Sequence, residues 1–320
     1  MNIGVLGSGF IVDVFCKNAK NYKDLNPYAI WGRHKEKIEK FLDFKKYYTD
    51  VDEFFKDPNI DVVYVALPNG LHFEFAYKAL KAHKHVLLEK PFCLTVKEAK
   101  TLINYAKKNN LFLFETIMTL HSPNYLKLKT LVNKLGDIKI VDINFSQYSR
   151  RYDRFLKGET LPVFNYKLAG GALMDLGVYS IHFVCGLFGK PKKLMYYPNI
   201  VKNVDTSGVL VLDYGSFKAN LVQAKDSGAP SYALVQGDKG YIKVNSTTSR
   251  CSNFDFVLMG EDKKVFEGED SEFVGWRHLY EDIIKLYKKK DFKACYKLLD
   301  NTLMVQKVLE DARKSAKLKY

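Results

Sequence analysis

The sequence predicts an α/β protein in two domains. Residues 1–120 read as a doubly wound domain, and residues 121–320 as an α+β domain with a large, mostly antiparallel open sheet. Three observations carry this. Short apolar runs alternate with helical patterns from residue 2 to about 118, the pattern of βαβ units on a parallel sheet. After about residue 120 the pattern changes, and long strands with hairpin turns follow. A chain of 320 residues can also bury two sizeable cores.

The elements follow in order. Ile3–Leu6 is a first strand and Ile11–Ala19 a helix; Tyr28–Trp31 is a second strand, followed by a helix over Lys35–Leu42. Tyr47-Tyr48 is a weak third strand, with Thr49 and Asp52 as the cap of the helix behind it. Asp61–Leu67 is the central strand, because Val62-Val63-Tyr64-Val65-Ala66 is apolar without alternation, as in a strand buried on both faces. A helix over Leu71–Ala82 leads to strand His85–Leu88. Thr95-Val96-Lys97-Glu98 is a capping box opening a helix to Asn109, and Leu111–Phe114 adds a strand.

In the second part, a helix at Asn124–Leu135 precedes strand Ile138–Phe145 and an arginine-bearing loop at Ser149–Gly158. After a glycine-led helix come strands Leu194–Val201, Gly208–Tyr214, Phe217–Ala224, Tyr232–Gln236, Tyr241–Val244 and Phe254–Met259. Asp213-Tyr214-Gly215-Ser216 and Gly237-Asp238-Lys239-Gly240 read as hairpin turns. Helices near Trp276–Lys289 and Thr302–Ala316 close the chain. In Val209-Leu210-Val211-Leu212, apolar residues at consecutive positions point to a sheet covered on both faces. Helices cover one face and a second subunit the other, so a homodimer through the open sheet is expected.

Composition narrows the function classes. Apolar residues at 47% and charged residues at 27% suit a soluble globular protein. No segment reads as the roughly 20 apolar residues of a membrane span, so no membrane role is expected. The amino terminus reads as a first strand rather than a signal peptide, because Gly4, Gly7 and Gly9 break its apolar run. Five scattered cysteines lack metal-type spacing, which favours free thiols in a reducing cytoplasm and no metal site. The net charge of +14 is spread over lysine-rich helix faces, with no basic stripe interleaved with aromatics. That argues against nucleic acid as a partner, while the surplus should attract an anionic substrate or a cofactor phosphate.

Three segments carry the chemistry. Gly7-Ser8-Gly9-Phe10-Ile11-Val12 joins the first strand to a helix, the context of a dinucleotide fingerprint in a Rossmann domain. Gly7 permits the tight turn, and Gly9 lets backbone amides near Phe10 and Ile11 approach a pyrophosphate. Val12 in place of a third glycine predicts a slightly wider helix–strand gap. At the end of the second strand, Trp31-Gly32-Arg33-His34 has no carboxylate for ribose hydroxyls. Gly32 makes room there, and Arg33 either pairs with a 2′-phosphate, which favours NADP over NAD, or is a solvated helix-start residue. His34 and Lys37 are secondary candidates for that phosphate.

Leu67-Pro68-Asn69-Gly70-Leu71-His72 lies at the carboxyl end of the central strand, where such sheets bind ligands. Leu67, Asn69 and His72 border the nicotinamide ribose on one reading. On the other, Asn69 is a helix cap and His72 a satisfied histidine. Glu89-Lys90-Pro91 supplies a lysine at a strand's carboxyl end. Gly170-Gly171-Ala172-Leu173-Met174-Asp175-Leu176-Gly177-Val178-Tyr179 supplies a carboxylate and a phenol four apart on one helical face. His182 lies on that same face, as a substrate contact or a core histidine.

Gly7-x-Gly9, Pro68-Asn69-x-x-His72, Glu89-Lys90-Pro91 and Gly170-Gly171-Ala172-Leu173-Met174-Asp175-x-Gly177-x-Tyr179 occur in that order. With them the whole chain resembles the glucose–fructose oxidoreductase, inositol dehydrogenase and rhizopine catabolism (Gfo/Idh/MocA) family. Tyr179 looks like the dihydrodiol dehydrogenase, xylose dehydrogenase and glucose–fructose oxidoreductase branches, since the inositol dehydrogenase branch typically has histidine there. The resemblance implies a site at the domain junction and a cis Lys90–Pro91 bond. It implies that Glu89 and Lys90 lie at the cofactor, with Lys90 donating to the substrate oxygen. Tyr179 would be the general acid/base, and Asp175 would hold a substrate hydroxyl or orient Lys90. Met118–Pro123 lacks an arginine that many members carry, which weakens analogy to one particular sugar. Arg150, Arg151 and Tyr152, with Trp276 and Arg277, are weaker candidates for the pocket rim.

The function expected is hydride transfer between NADP(H) and a secondary alcohol or hemiacetal of a sugar, polyol or cyclic diol. A redox-neutral glycosidase or epimerase is the alternative within the fold. A non-catalytic cofactor-sensing regulator is the alternative outside it.

Overall fold

The computed structural model describes residues 1–268 and 274–318. It divides into two compact units, one of Met1–Thr116 with Tyr280–Leu303 and one of Ile117–Leu279 with Met304–Tyr320. The sequence reading ran the second domain unbroken from 121 to 320, without the return of Tyr280–Leu303 to the first unit.

The first unit is a parallel sheet of β1 (Asn2–Leu6), β2 (Asn26–Trp31), β3 (Lys46–Tyr48), β4 (Val62–Val65), β5 (His85–Leu88) and β6 (Leu113–Glu115). Their order is β3-β2-β1-β4-β5-β6, so the winding reverses between β1 and β4, where such sheets open a ligand crevice. All four residues of β4 are buried, as the unbroken apolar run required. Helices α1 (Phe10–Ala19), α2 (Lys35–Ile38), α3 (Val51–Lys56), α4 (His72–Lys81) and α5 (Val96–Lys108) connect the strands. The capping box on α5 is present, with both the Thr95 and Glu98 side chains engaged.

Two local expectations change. The second helix stops at Ile38 rather than Leu42; Phe41 is still buried, but Leu42 is 87% exposed and packs on nothing. The cap of α3 is Asp50, not Thr49 or Asp52; its carboxylate accepts from the backbone of Asp52 at 2.7 Å and Glu53 at 3.1 Å.

In the second unit, α6 (Pro123–Leu131), α7 (Tyr152–Leu156) and α8 (Val178–Phe188) accompany a sheet of eight strands. These are β7 (Ile138–Ser146), β8 (Lys193–Val201), β9 (Val204–Asp213), β10 (Lys218–Ala224), β11 (Tyr232–Gly237), β12 (Gly240–Val244), β13 (Phe254–Leu258) and β14 (Lys264–Phe266). The order is β14-β13-β12-β11-β7-β10-β9-β8, and only β7 and β10 pair in parallel. Both expected hairpin turns are found; the β9–β10 turn places Gly215 at φ +91°, and Tyr214 N–H donates to Phe217 O at 3.1 Å. The short α7 and β14 were not legible, being too brief for a periodic signal.

The closing helices are α9 (Val274–Lys289) and α10 (Phe292–Ser315). The last begins ten residues earlier than expected because Asp291 caps it, accepting from Ala294 N–H at 2.9 Å. Its early turns tie into the first unit: Cys295 Sγ lies 3.3 Å from Leu113 O, and the Thr302 hydroxyl donates to Glu115 at 2.8 Å.

The sheet of the second unit has unequal faces. Leu210, Leu212, Ala219 and Leu221 are fully buried, whereas Val209 and Val211 are half-buried and Ile140, Met195 and Tyr197 are exposed. One run corrects the reading that no segment is apolar enough for a membrane span. Tyr166–Phe188 passes that test with a mean hydropathy of 1.4. It is 78% buried within the protein, so its apolar character is explained by core packing against the sheet.

Candidate active site

In the first unit the glycine turn is built as its sequence requires. Gly7 lies at φ +128°, and any Cβ there would strike the carbonyl of Ala66 on the neighbouring strand. Gly9 differs, because nothing lies within 4 Å of where its Cβ would be. It is the N-cap of the ten-residue α1, and no side chain caps that helix end. The uncapped amides and the empty approach fit a dinucleotide pyrophosphate. Phe10 is 57% exposed beside them, Ile11 is half-buried, and Val12 packs fully into the core.

Gly32 has another reason than the one expected. A Cβ there would lie 2.6 Å from Ile38, so the glycine admits Ile38 rather than a ligand. Arg33 and His34 are exposed just ahead of α2 and Lys37 is exposed within it, and His34 sits 3.6 Å from Glu36.

Lys90 follows β5, is half-buried, and precedes a cis bond to Pro91. Its neighbour Glu89 is turned inward, where its carboxylate accepts from Tyr64 at 2.5 Å and Thr116 at 2.7 Å. Burial pushes the Glu89 carboxyl up, against those hydrogen bonds and the charge of Lys90. His72 is fully buried. Its Nδ1 lies 2.8 Å from Pro91 O and its Nε2 2.8 Å from Leu67 O. Burial pulls its pKa down. His72 therefore ties the end of β4 to the Lys90–Pro91 turn, the satisfied reading of that residue. Leu67 and Asn69 are half-buried at the same strand end, with Asn69 opening a short 3₁₀ turn.

In the second unit the glycine pair has clear causes. A Cβ on Gly170 would lie 2.5 Å from Pro162 O, and Gly171, at φ +144°, abuts the Asp205 carboxylate. The chain then winds through a π-helical turn over Leu173–Gly177 before α8 begins. Asp175 sits in the wider turn and Tyr179 in the α-helix, so the four-residue spacing spans a change of helical type. Such turns recur at functional sites because they re-aim a side chain within a helix. The Tyr179 ring lies 6.0 Å from that of Phe145 and is 8% exposed, while the Asp175 side chain is 30% exposed. His182 is fully buried on α8, as a core histidine would be.

Asp175 makes an ion pair with Lys225, whose side chain is only 6% exposed. Lys225 directly follows β10, and its ammonium lies 5.5 Å from the Phe164 ring. Behind the turn, Asp205 accepts from Leu173 N–H at 2.8 Å and from the Tyr196 hydroxyl at 2.9 Å. Burial pushes its carboxyl up to about 6, although those donors and the Lys225 charge oppose the rise.

Models of two domains match this chain. An oxidoreductase family model with an NAD-binding Rossmann fold matches residues 1–116, and the GFO/IDH/MocA carboxyl-terminal domain matches residues 125–243. The chain belongs to the Gfo/Idh/MocA oxidoreductase family. A similar member is the NADP(+)-dependent scyllo-inositol 2-dehydrogenase IolU of Bacillus subtilis, 30% identical over 100% of this chain and 98% of that protein. Another is the trans-1,2-dihydrobenzene-1,2-diol dehydrogenase of Mus musculus, 28% identical over 98% of this chain and 96% of that one. The 3-ketoreductase KijD10 of Actinomadura kijaniata, solved with TDP-benzene and NADP, shares the fold. Its TM-score is 0.84 at 19% identity, covering 98% of this chain and 97% of that one.

Within this Gfo/Idh/MocA chain, sequence reasoning missed Lys225 and Asp205. A signal for Lys225 was present. Ala219, Leu221, Gln223 and Lys225 are alternate residues along one face of β10 and just beyond it, and all are buried. Two polar residues ending that inward apolar row mark a position with a purpose other than core packing. Asp205 gave no comparable signal, because it sits where β9 begins and the strand was expected to start only at Gly208. Arg150 and Arg151 are exposed, as solvated charges would be. Among the described residues no cluster of metal-ligating side chains is found.

Proposed function

We propose that this enzyme transfers hydride between NADP(H) and a secondary alcohol or hemiacetal carbon of a sugar, polyol or cyclic diol. The observation that carries the reading is a pair of chemically complete half-sites within an oxidoreductase family. One has an uncapped helix end behind a glycine turn and a lysine beyond β5. The other has a phenol and a paired carboxylate on a π-to-α helix. The nicotinamide, when bound, supplies the hydride acceptor.

In the oxidative direction the substrate carbon loses hydride and its hydroxyl loses a proton, leaving a carbonyl. Lys90 donates a hydrogen bond to the substrate oxygen and stabilises its alkoxide character. Tyr179 takes the proton as general base, and Asp175 accepts from a substrate hydroxyl. Gly7, Gly9, Phe10 and Ile11 hold the pyrophosphate, with Leu67, Asn69 and Glu89 shaping the strand ends beside it. Arg33, exposed just ahead of α2, pairs with the 2′-phosphate and favours NADP over NAD. NADP dependence in IolU supports this preference.

The half-exposed outer sheet face, with Met195, Tyr197, Val209, Val211 and Val222 in adjacent register, is the homodimer surface. The five free, buried cysteines suit a reducing, cytoplasmic setting. The test of the reaction is a screen of polyols, aldoses and cyclic diols with both cofactors, followed at the reduced-nicotinamide band. Net reduction supports a dehydrogenase. Substrate conversion without net reduction would support the epimerase or glycosidase alternative, and no conversion at all the sensor.

A further inference from the structure

Lys225 is costly where it stands. Taking an ammonium out of water costs several kcal/mol, and an apolar residue of similar volume is often as stabilising as a buried ion pair. Its surroundings fix it closely. Lys225 N–H donates to Thr206 O at 2.8 Å, and its carbonyl accepts from Ser149 N–H at 2.9 Å. The two other carboxylates around it are held by different donors. Asp226 accepts from the Thr206 hydroxyl at 2.7 Å and the Ser207 hydroxyl at 2.9 Å, and Asp205 accepts from Leu173 and Tyr196. The ammonium is thus left to Asp175, a part-exposed carboxylate that it binds directly. A buried cation behind a part-exposed anion aims that anion outward.

We infer that Lys225 is a positioning residue that aims the Asp175 carboxylate, so that the enzyme selects substrates carrying a second hydroxyl beside the reacting carbon. The inference rests on the redox reading above and deepens it. An ionised carboxylate only accepts hydrogen bonds, so its substrate partner must be a donor. A hydroxyl next to the carbinol carbon meets that need, whereas a deoxy position offers the carboxylate no donor from the substrate. Sites built to bind a hydroxyl reject analogues lacking it far more strongly than apolar pockets reject a missing methylene.

The test compares kcat/KM for trans-1,2-cyclohexanediol with cyclohexanol, and for D-xylose with 2-deoxy-D-xylose, in four proteins. These are the wild type, Lys225→Met, Asp175→Asn and the double variant, which removes both charges together and strands neither; Lys225→Arg is measured beside them as a charge-keeping control. NADP affinity, measured by titration, should be unchanged throughout and shows that each variant is folded. Lys225→Met should lower kcat/KM for the vicinal substrates by about tenfold to a hundredfold, as loss of an orienting partner typically does, and shrink the preference over the deoxy analogue. The double variant should be no worse than Asp175→Asn, because both substitutions break one interaction. Lys225→Arg, keeping the charge, should recover most of the preference. Two results would overturn the inference alone: an active wild type whose preference survives Lys225→Met, or losses that multiply in the double variant. A wild type that turns over none of these substrates overturns the redox reading, and the inference with it.

Discussion

Asp205→Asn should remove a specific pH dependence of stability. The wild-type carboxyl rises from 3.8 to about 6 on folding. A raised carboxyl means that the folded state holds its proton longer than the unfolded state. Its contribution is therefore fully present below about pH 4 and is lost as pH rises through about 6. Summed over the whole pH range, that rise corresponds to about 3 kcal/mol, since a tenfold change in proton affinity is ~1.4 kcal/mol. Asparagine keeps a carbonyl oxygen to accept from Leu173 N–H and the Tyr196 hydroxyl but has no charge to desolvate. The stability difference between variant and wild type should therefore move by about 2 kcal/mol in the variant's favour between pH 4 and pH 7. Urea unfolding of both proteins at the two pH values measures it. Glu89, also raised by burial, and Asp57, lowered to about 2, are present in both proteins and cancel. A difference that stays flat with pH would refute the assignment of a buried carboxylate of raised pKa behind the π-helical turn.

Two further outcomes are expected. Arg33→Ala should weaken NADP by about tenfold or more, in line with the ~1.5–3 kcal/mol of a charge-assisted hydrogen bond, with little change for NAD. Equal affinities for the two cofactors before and after, in fluorescence titrations, would remove Arg33 from the phosphate. Val209→Asp, at the centre of the outer sheet face opposite Tyr197 and Val222, should convert a dimer to monomer in light scattering. A wild type that is itself monomeric would discard the sheet-face interface.

The fold was largely legible in the sequence, since its strongest cues were local. The unbroken apolar run at β4, the Thr95–Glu98 capping box and the glycine turn at Gly7 each specify a conformation from neighbouring residues alone. Leu42 was misread because periodicity cannot tell an apolar residue that packs from one left in solvent. The early start of α10 was missed because Lys, Asp and Asn interrupt its apolar face, while the residues that anchor it lie in β6. The candidate residues of each unit, Lys90 in the first and the Asp175–Tyr179 helix in the second, could be named from chain-local patterns. Its partners were not. Lys225 meets Asp175 across 50 residues and Asp205 meets Leu173 across 32, and no one-dimensional pattern reports such a pairing. The π-helical turn was also invisible, since the same residues satisfy an α-helical spacing.

In the proposed reaction Lys90 serves the chemical step of a nicotinamide-dependent hydride transfer. Lys90→Met keeps the side chain's length and removes its ammonium. Initial rates at the reduced-nicotinamide band should fall by about a thousandfold, as for loss of one preorganised donor to a developing oxyanion, with NADP affinity within about twofold of wild type. Turnover that persists in Lys90→Met, or a loss of NADP binding as large as the loss of rate, would contradict the account.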